Sequence, residues 1–292
     1  MANADYLADA AAKLTAEELL AAREKVGTFN HRGYSITGFS YPLDHPLFYA
    51  KFRHPANLHQ EARTQQFVRD SLDRMPPEET TGVSVPRVLR VIECDDDGYG
   101  FIIMEYIQGT TLQWIFEDNP HMSDDEAQPY FAKISKALRL FLAMPPPAGA
   151  KPGPYGGGII VHPLFQDFVA AVEYTSVDML EQHLNRVATF FFKTASTVTL
   201  ERDLNLVFSD LHTGNFIFTP SGDLYVIDFD MAAFLPLSFM TFALRFPTMM
   251  SGEVAAAIRK DFLDLPQQNV DAMLHVAGTF MRGSNKMGAF DF

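Results

Sequence analysis

The segment Leu204-Asn-Leu-Val-Phe-Ser-Asp-Leu-His-Thr-Gly-Asn-Phe-Ile-Phe-Thr-Pro-Ser-Gly-Asp-Leu-Tyr-Val-Ile-Asp-Phe-Asp230 holds two strand-like runs, Phe216 to Phe218 and Leu224 to Ile227, separated by the turn-forming Thr219-Pro-Ser-Gly-Asp223. Apolar runs on either side of such a turn predict a β-hairpin. A hairpin centred near Ser221 pairs Phe218 with Tyr225 and sets Asn215 opposite Asp228, and cross-strand partners lie roughly 5 Å apart at Cβ. One amide oxygen and one carboxylate then face a common point. A hard cation such as Mg²⁺ takes a few oxygen ligands of this kind and completes its shell with water and phosphate oxygens. Asp210 stands across a short loop containing Gly214 and reaches the same cavity without being a metal ligand. A carboxylate there is suited to accept the proton of a hydroxyl attacking a phosphoryl group.

Outward from this segment, the chain reads as two modest lobes. Tyr34-Ser-Ile-Thr-Gly-Phe39 and Leu47-Phe-Tyr-Ala-Lys-Phe52 are strand-like, with Pro42-Leu-Asp-His-Pro46 as the turn between them. Asn57, with Gln60 three positions on, predicts the N-cap of a helix that runs to Arg74 and is closed by Pro76-Pro77. Val85 to Ile92 and Tyr99 to Ile107 supply two more strands, joined by an Asp95-Asp-Asp-Gly98 turn. Strand, strand, helix, strand, strand makes a small α+β unit. After Gly109 the pattern turns helical: Ser123 and Glu126 form a capping box for a helix ending at Pro145-Pro-Pro147, Ala148 to Gly158 reads as a loop, and 163–195 reads as helix again. At the other end, a capping box at Thr15 and Glu18 with a stop at Gly27 predicts a short helix outside the main fold.

Asp210-Leu-His-Thr-Gly-Asn215 followed by Ile227-Asp-Phe-Asp230 resembles the Asp-Leu-His-x-Gly-Asn and Ile-Asp-Phe/Trp-Glu/Asp signatures of the aminoglycoside phosphotransferase and choline kinase-like family. Ile103-Met-Glu-Tyr-Ile-Gln-Gly-Thr-Thr-Leu112 is similar to that family's hinge between lobes. The resemblance covers about residues 30 to 235, with its elements in the expected order. It implies an α+β, protein kinase-like two-lobed fold: an N-terminal helical extension (1–27), an N-lobe with a small antiparallel sheet and one helix (28–104), and a mainly helical C-lobe (105–292). It also implies ATP and Mg²⁺ as cofactors and transfer of the γ-phosphate to a hydroxyl of a small-molecule acceptor. In the implied site, Asp210 is catalytic, Asn215 and Asp228 hold the metal, Lys51 binds the phosphates with Glu61 as its ion-pair partner, and main-chain groups of Glu105 and Ile107 hold the adenine. Phe208-Ser209 stands where the family usually has His-Gly. No G-x-G-x-x-G run lies between Thr28 and Lys51, so Asn30-His-Arg-Gly-Tyr34 is expected to form a shortened phosphate-covering loop. That gap keeps open an alternative, a catalytically weak or inactive kinase-like protein that binds a nucleotide or a protein partner.

Composition narrows the classes further. With 47% hydrophobic and 20% charged residues, the 292-residue chain reads as globular. A net charge of −13 argues against nucleic acid as a partner and favours a cationic or neutral small substrate. A single cysteine, Cys94, excludes an intrachain disulfide and a cysteine metal cluster. The first residues carry no basic leader, and the uncharged stretch Met231 to Leu244 is too short to span a bilayer and contains Pro236. These features predict a cytoplasmic protein with no membrane partner. His212 reads as a histidine that structures its loop, Trp114, Phe116 and Phe190-Phe-Phe192 as core, and Glu253, Asp261, Asp264 and Asp271 as a solvated face.

Overall fold

A computed structural model of the chain describes residues 4–53, 55–94, 98–191, 193 and 196–288. The N-terminal part runs α1 (Ala4–Ala12), α2 (Ala16–Val26), β1 (Gly38–Tyr41), β2 (Phe48–Arg53), α3 (Pro55–Arg74), the single turn α4 (Pro77–Thr80), β3 (Val83–Ser84), β4 (Val88–Glu93) and β5 (Gly100–Glu105). Strands β1-β2-β5-β4, in that order, form one antiparallel sheet. Side chains alternate across a strand, so Phe48 and Ala50 of β2 fall on one face and Tyr49, Lys51 and Arg53 on the other. The first face, with Phe101 and Ile103 of β5 and Ile92 of β4, packs on Leu7, Ala11, Leu19 and Ala22 of α1 and α2. The second face, through Ile102 and Met104, receives Leu58 and Ala62 of α3.

The capping box of α2 forms as expected, with the Glu18 amide donating to Thr15 Oγ1 at 3.2 Å and the Thr15 amide to Glu18 Oε2 at 2.9 Å. Its placement differs from expectation: α1 and α2 cover the sheet instead of standing outside the fold, and Arg90 fastens them by donating to the Ala12 and Leu14 carbonyls at 2.8 Å each. Burial of each large apolar side chain in such a layer contributes about 2 kcal/mol. Helix α3 opens at Pro55, not at an N-cap on Asn57. A proline suits the first helical position because its missing N–H has no intrahelical partner there. In the expected Asp95-Asp-Asp-Gly98 turn, Asp95 to Asp97 lie outside the described residues.

The remainder runs β6 (Thr110–Thr111), α5 (Leu112–Asp118), α6 (Asp124–Ala143), α7 (Val177–Ala188), β7 (Asn205–Phe208), β8 (Phe216–Phe218), β9 (Leu224–Val226), β10 (Ala232–Leu235), α8 (Leu237–Arg245), α9 (Gly252–Ile258) and α10 (Val270–Arg282). Ser123 and Glu126 cap α6 reciprocally, and its Ile134, Ala137, Leu138 and Phe141 face the main core at helical spacing. The helix expected over 163–195 is restricted to α7. Asn285 takes the intervening segment out of the helical ladder, donating to the Gln166 and Val169 carbonyls at 2.6 and 2.7 Å and accepting from the Gln166 amide at 2.8 Å. Phe190 and Phe191 are exposed, against the expectation of a core run, and Phe192 lies outside the described residues. Among the described residues no helix is long and apolar enough to cross a membrane.

The molecule is therefore a two-lobed α+β fold of the protein kinase-like kind, with a small antiparallel sheet in one lobe and helices dominating the other. A second sheet, β3-β9-β8-β6, places the hairpin β8–β9 between them: β3 pairs with β9 in parallel, and β6, just beyond the strand that leaves the first sheet, pairs with β8.

Candidate active site

The hairpin exists where the sequence predicts it, in a register one residue away. Phe218 pairs with Leu224, Ile217 with Tyr225 and Phe216 with Val226. The turn explains the shift: the Gly222 amide donates to the Thr219 carbonyl at 2.8 Å, the Thr219 amide to the Asp223 carbonyl at 2.9 Å, and Gly222 sits at φ 83°. A three-residue loop closed by a left-handed glycine sets an odd count between the strands. Asn215 therefore stands opposite Ile227, whose amide donates to the Asn215 carbonyl at 2.9 Å. A one-residue shift alone would turn Asp228 to the other face. Instead the chain leaves the strand there, with Asp228 at φ 64° and ψ 75°, and its side chain lines the same cleft as that of Asn215. A non-glycine residue in this region costs of order 1–3 kcal/mol, and such strain gathers at functional sites.

Asp210 lies on the loop that follows β7. Asn215 Nδ2 donates to the Asp210 carbonyl at 3.1 Å, which leaves the Asn215 amide oxygen as the acceptor end. His212 does structure the loop, its Nδ1 accepting from the Gly214 amide at 2.9 Å. Ser251 Oγ approaches Asp210 Oδ1 at 3.4 Å. Burial, and then the charge of Asp228, push the Asp210 carboxyl above the ordinary carboxylate range.

Lys51 and Glu61 are brought together as the resemblance implies, Nζ to Oε1 at 2.6 Å, and Lys51 also meets Asp228 Oδ1 at 2.8 Å. Burial opposes the Lys51 charge, but Asp228 and Glu61 outweigh it and hold the ammonium above its usual range. Burial likewise opposes ionisation of Asp228, and Lys51 overcomes it, keeping that carboxyl below its usual range. Gly38 lies across from Lys51 in β1, and a Cβ there would fall 2.5 Å from the ring of Tyr49, which lines the cleft, so the ring keeps this place because the position is bare.

Lys51, Glu105, Ile107, Asp210, Asn215 and Asp228 all line one cleft of about 570 Å³, and Glu61 stands behind Lys51 with its side chain fully buried. Glu105 ends β5, its amide bonded to the Arg87 carbonyl at 3.0 Å. Asn30 to Tyr34 does reach the cleft, but its amides turn inward. Asn30 Oδ1 accepts from the amides of Arg32 and Tyr34 at 3.0 Å each, and the Gly33 amide donates to the Asn30 carbonyl at 2.9 Å. The loop therefore differs from a phosphate cradle, whose amides point at the ligand.

Trp114 is not a core residue. It lines the cleft, with His31 stacked on it at 5.8 Å, Arg32 at 4.3 Å above its ring and Tyr34 edge-on. Phe116 packs partly buried against the core. Glu253, Asp261, Asp264 and Asp271 are exposed, and none lines this cleft; Asp261 accepts from Ser135 and Asp264 pairs with Arg139. Sequence reasoning missed Arg53, which meets Glu61 Oε2 at 2.7 Å, and its partner Asp230, 2.6 Å away. The signal was available: Arg53 follows Lys51 by two positions on a strand and so shares its face.

The sequence pattern of the phosphotransferase enzyme family APH matches residues 45–239. No curated protein matches the chain. Among solved structures, aminoglycoside phosphotransferase APH(4)-Ia is similar, with 15% identity, 84% of this chain and 81% of that chain covered, and a TM-score of 0.50. A thermostable mutant of the same protein, in ternary complex with ADP and hygromycin B, gives the same identity, coverage and TM-score. At that identity the likeness is one of fold. The family pattern spans about two thirds of the sequence and includes the Asp210–Asn215 loop, the hairpin and the Lys51 strand, so the chain belongs to the phosphotransferase enzyme family.

Proposed function

We propose that the chain is an ATP- and Mg²⁺-dependent phosphotransferase that moves the γ-phosphate to a hydroxyl of a small-molecule acceptor. The observation that carries this reading is the convergence of Lys51, Asp210, Asn215 and Asp228 on one cleft. The donor set fits the cofactors: Asn215 and Asp228 line one cleft. One amide oxygen plus one carboxylate is the sparse protein share that Mg²⁺ accepts when phosphates and water complete its shell. Mg·ATP, when bound, supplies the phosphoryl group and a divalent charge that offsets the phosphates.

Asn215 and Asp228 would hold the cation. Lys51, kept charged by Asp228 and Glu61, supplies positive charge to the phosphates, and Glu61 fixes its direction. Asp210 orients the acceptor hydroxyl and takes its proton. Its raised basicity favours that transfer. Main-chain groups of Glu105 and Ile107, which line the cleft, would hold the adenine. The structural neighbour holds ADP together with hygromycin B, which supports a nucleotide and a small hydroxyl compound as the two substrates of this reading.

The inward-turned amides of Asn30 to Tyr34 favour a second reading, a kinase-like protein that binds nucleotide with little or no turnover. A thermal shift with ATP and Mg²⁺, followed by turnover on a panel of small alcohols and amino alcohols, separates the two. A Mg²⁺-dependent shift with transfer to an alcohol supports the first reading, a shift without turnover the second, and no shift removes both.

A further inference from the structure

Two cations, Lys51 and Arg53, serve three carboxylates at the back of the cleft, and of the two it is Lys51 that lines it. Arg53 shares the cleft-facing side of β2 with Lys51. Its guanidinium reaches Glu61 Oε2 at 2.7 Å, Asp230 Oδ2 at 2.6 Å and Asp228 Oδ1 at 3.6 Å. Glu61 is fully buried and Asp230 largely so, and Asp230 Oδ1 has no hydrogen-bond partner among the described residues. We infer that Arg53 is a positioning residue for Asp228 and Lys51: by neutralising Glu61 and Asp230 it leaves Asp228 for the metal and Lys51 for the phosphates. The inference rests on the assignment of those two residues under Proposed function.

Charge balance carries it. Lys51 is divided between Glu61 and Asp228. When the ammonium turns to a phosphate it gives up part of that pairing, and the buried Glu61 carboxylate still needs a cation. Arg53 is already in place, and its planar fork serves two carboxylates at once, which a lysine cannot copy. Remove Arg53 and Lys51 is the cation left beside three negative side chains, held back from the phosphates. Asp228 and Asp230, two residues apart, then repel each other across a backbone already at φ 64°. Arg53 also joins β2 to the loop after β9, so it sets how far the metal carboxylate stands from the sheet that carries Lys51.

The test is binding of a non-hydrolysable ATP analogue by calorimetry, with and without Mg²⁺, for wild type, Arg53→Met, Arg53→Lys, Asp230→Asn and the Arg53→Met/Asp230→Asn double variant, each first checked for a cooperative thermal transition. Outer partners of metal ligands typically change metal affinity by about 10–100-fold. The expected result is a loss in that range for Arg53→Met with Mg²⁺ present, a much smaller change without it, and a higher Mg²⁺ concentration at half-saturation. Arg53→Lys should recover part of the loss, and the double variant should lose less than the two single losses combined. Equal weakening with and without Mg²⁺, or additive losses, would overturn the positioning role. Should Arg53→Met fail to fold, Arg53→Lys and Asp230→Asn decide between the same outcomes through their Mg²⁺ dependence. Wild-type protein that binds no analogue would instead remove the nucleotide reading itself, and a wild type that binds beside an unaffected Arg53→Met removes only the inference.

Discussion

The two ends of the cleft are held by different kinds of interaction. On the phosphate side, Asp228, Lys51, Glu61, Arg53 and Asp230 form a chain of ion pairs of 2.6 to 2.8 Å through the fully buried Glu61 carboxylate. On the outer side, the loop from Phe29 to Ser35 rests on α5 through Arg32 with Glu117 and Asp118 and through Tyr34 with Glu117, all partly or largely exposed. Met250 also lines the cleft and is more than half exposed. Removing one partner from a buried pair strands an uncompensated charge, whereas water takes over for a partner lost at the surface. The residues proposed for phosphotransfer are thus joined by buried ion pairs, and the loop that closes the other end of the cleft is joined by exposed ones.

This contrast can be broken by substitution. The largest effect is expected at the junction of the two sides: Asp210→Asn should lower kcat by about a thousandfold while calorimetric affinity for an ATP analogue stays near wild type. Affinity falling in step with kcat would place Asp210 on the phosphate side instead. Next, Glu61→Gln should raise KM for ATP and lower the urea midpoint, because the close pairs of Lys51 and Arg53 with this carboxylate are lost. A shift of Tm within scatter of wild type would show that the buried pair is not what holds Lys51. Arg32→Ala should leave Tm and nucleotide affinity near wild type and speed amide exchange only in the Phe29 to Ser35 loop. A large loss of analogue affinity in that variant would erase the contrast.

Acid should separate the sides as well. Asp210 is raised and Asp228 lowered relative to an ordinary aspartate. Activity needs ionised Asp210, so kcat/KM should fall first as pH drops, while Mg²⁺-dependent analogue binding persists to lower pH. The signs for stability are opposite. Asp228, with a depressed folded value, contributes stability above its unfolded range that is lost as pH falls through the lower folded value. Asp210, with a raised folded value, opposes stability at neutral pH and ceases to do so once protonated. Parallel loss of binding and turnover on acidification would contradict this division.

The same contrast governs what could be read from the sequence. The meeting of Lys51 with Glu61, and of Asp210, Asn215 and Asp228 in one cleft, was legible because these residues lie in short motifs whose order along the chain resembles that of the family. The hairpin was legible as a hairpin, but its register was not, because an odd loop closed by left-handed Gly222 looks the same in sequence as an even one. Trp114 read as core since nothing near it in sequence shows that His31 and Arg32, some eighty residues earlier, cover it. Residues 163–176 read as helix because the competing hydrogen bonds come from Asn285, over a hundred residues away. Helices α1 and α2 read as an appendage because their partner is the far face of a sheet formed later in the chain.

The most direct test of the central claim is a crystal structure with a non-hydrolysable ATP analogue and Mg²⁺. The account predicts the metal at about 2.1 Å from the Asn215 amide oxygen and an Asp228 carboxylate oxygen, Lys51 turned from Asp228 to the phosphates, and the terminal phosphate facing Asp210. A nucleotide bound away from this cleft, or a metal that touches neither Asn215 nor Asp228, would contradict it.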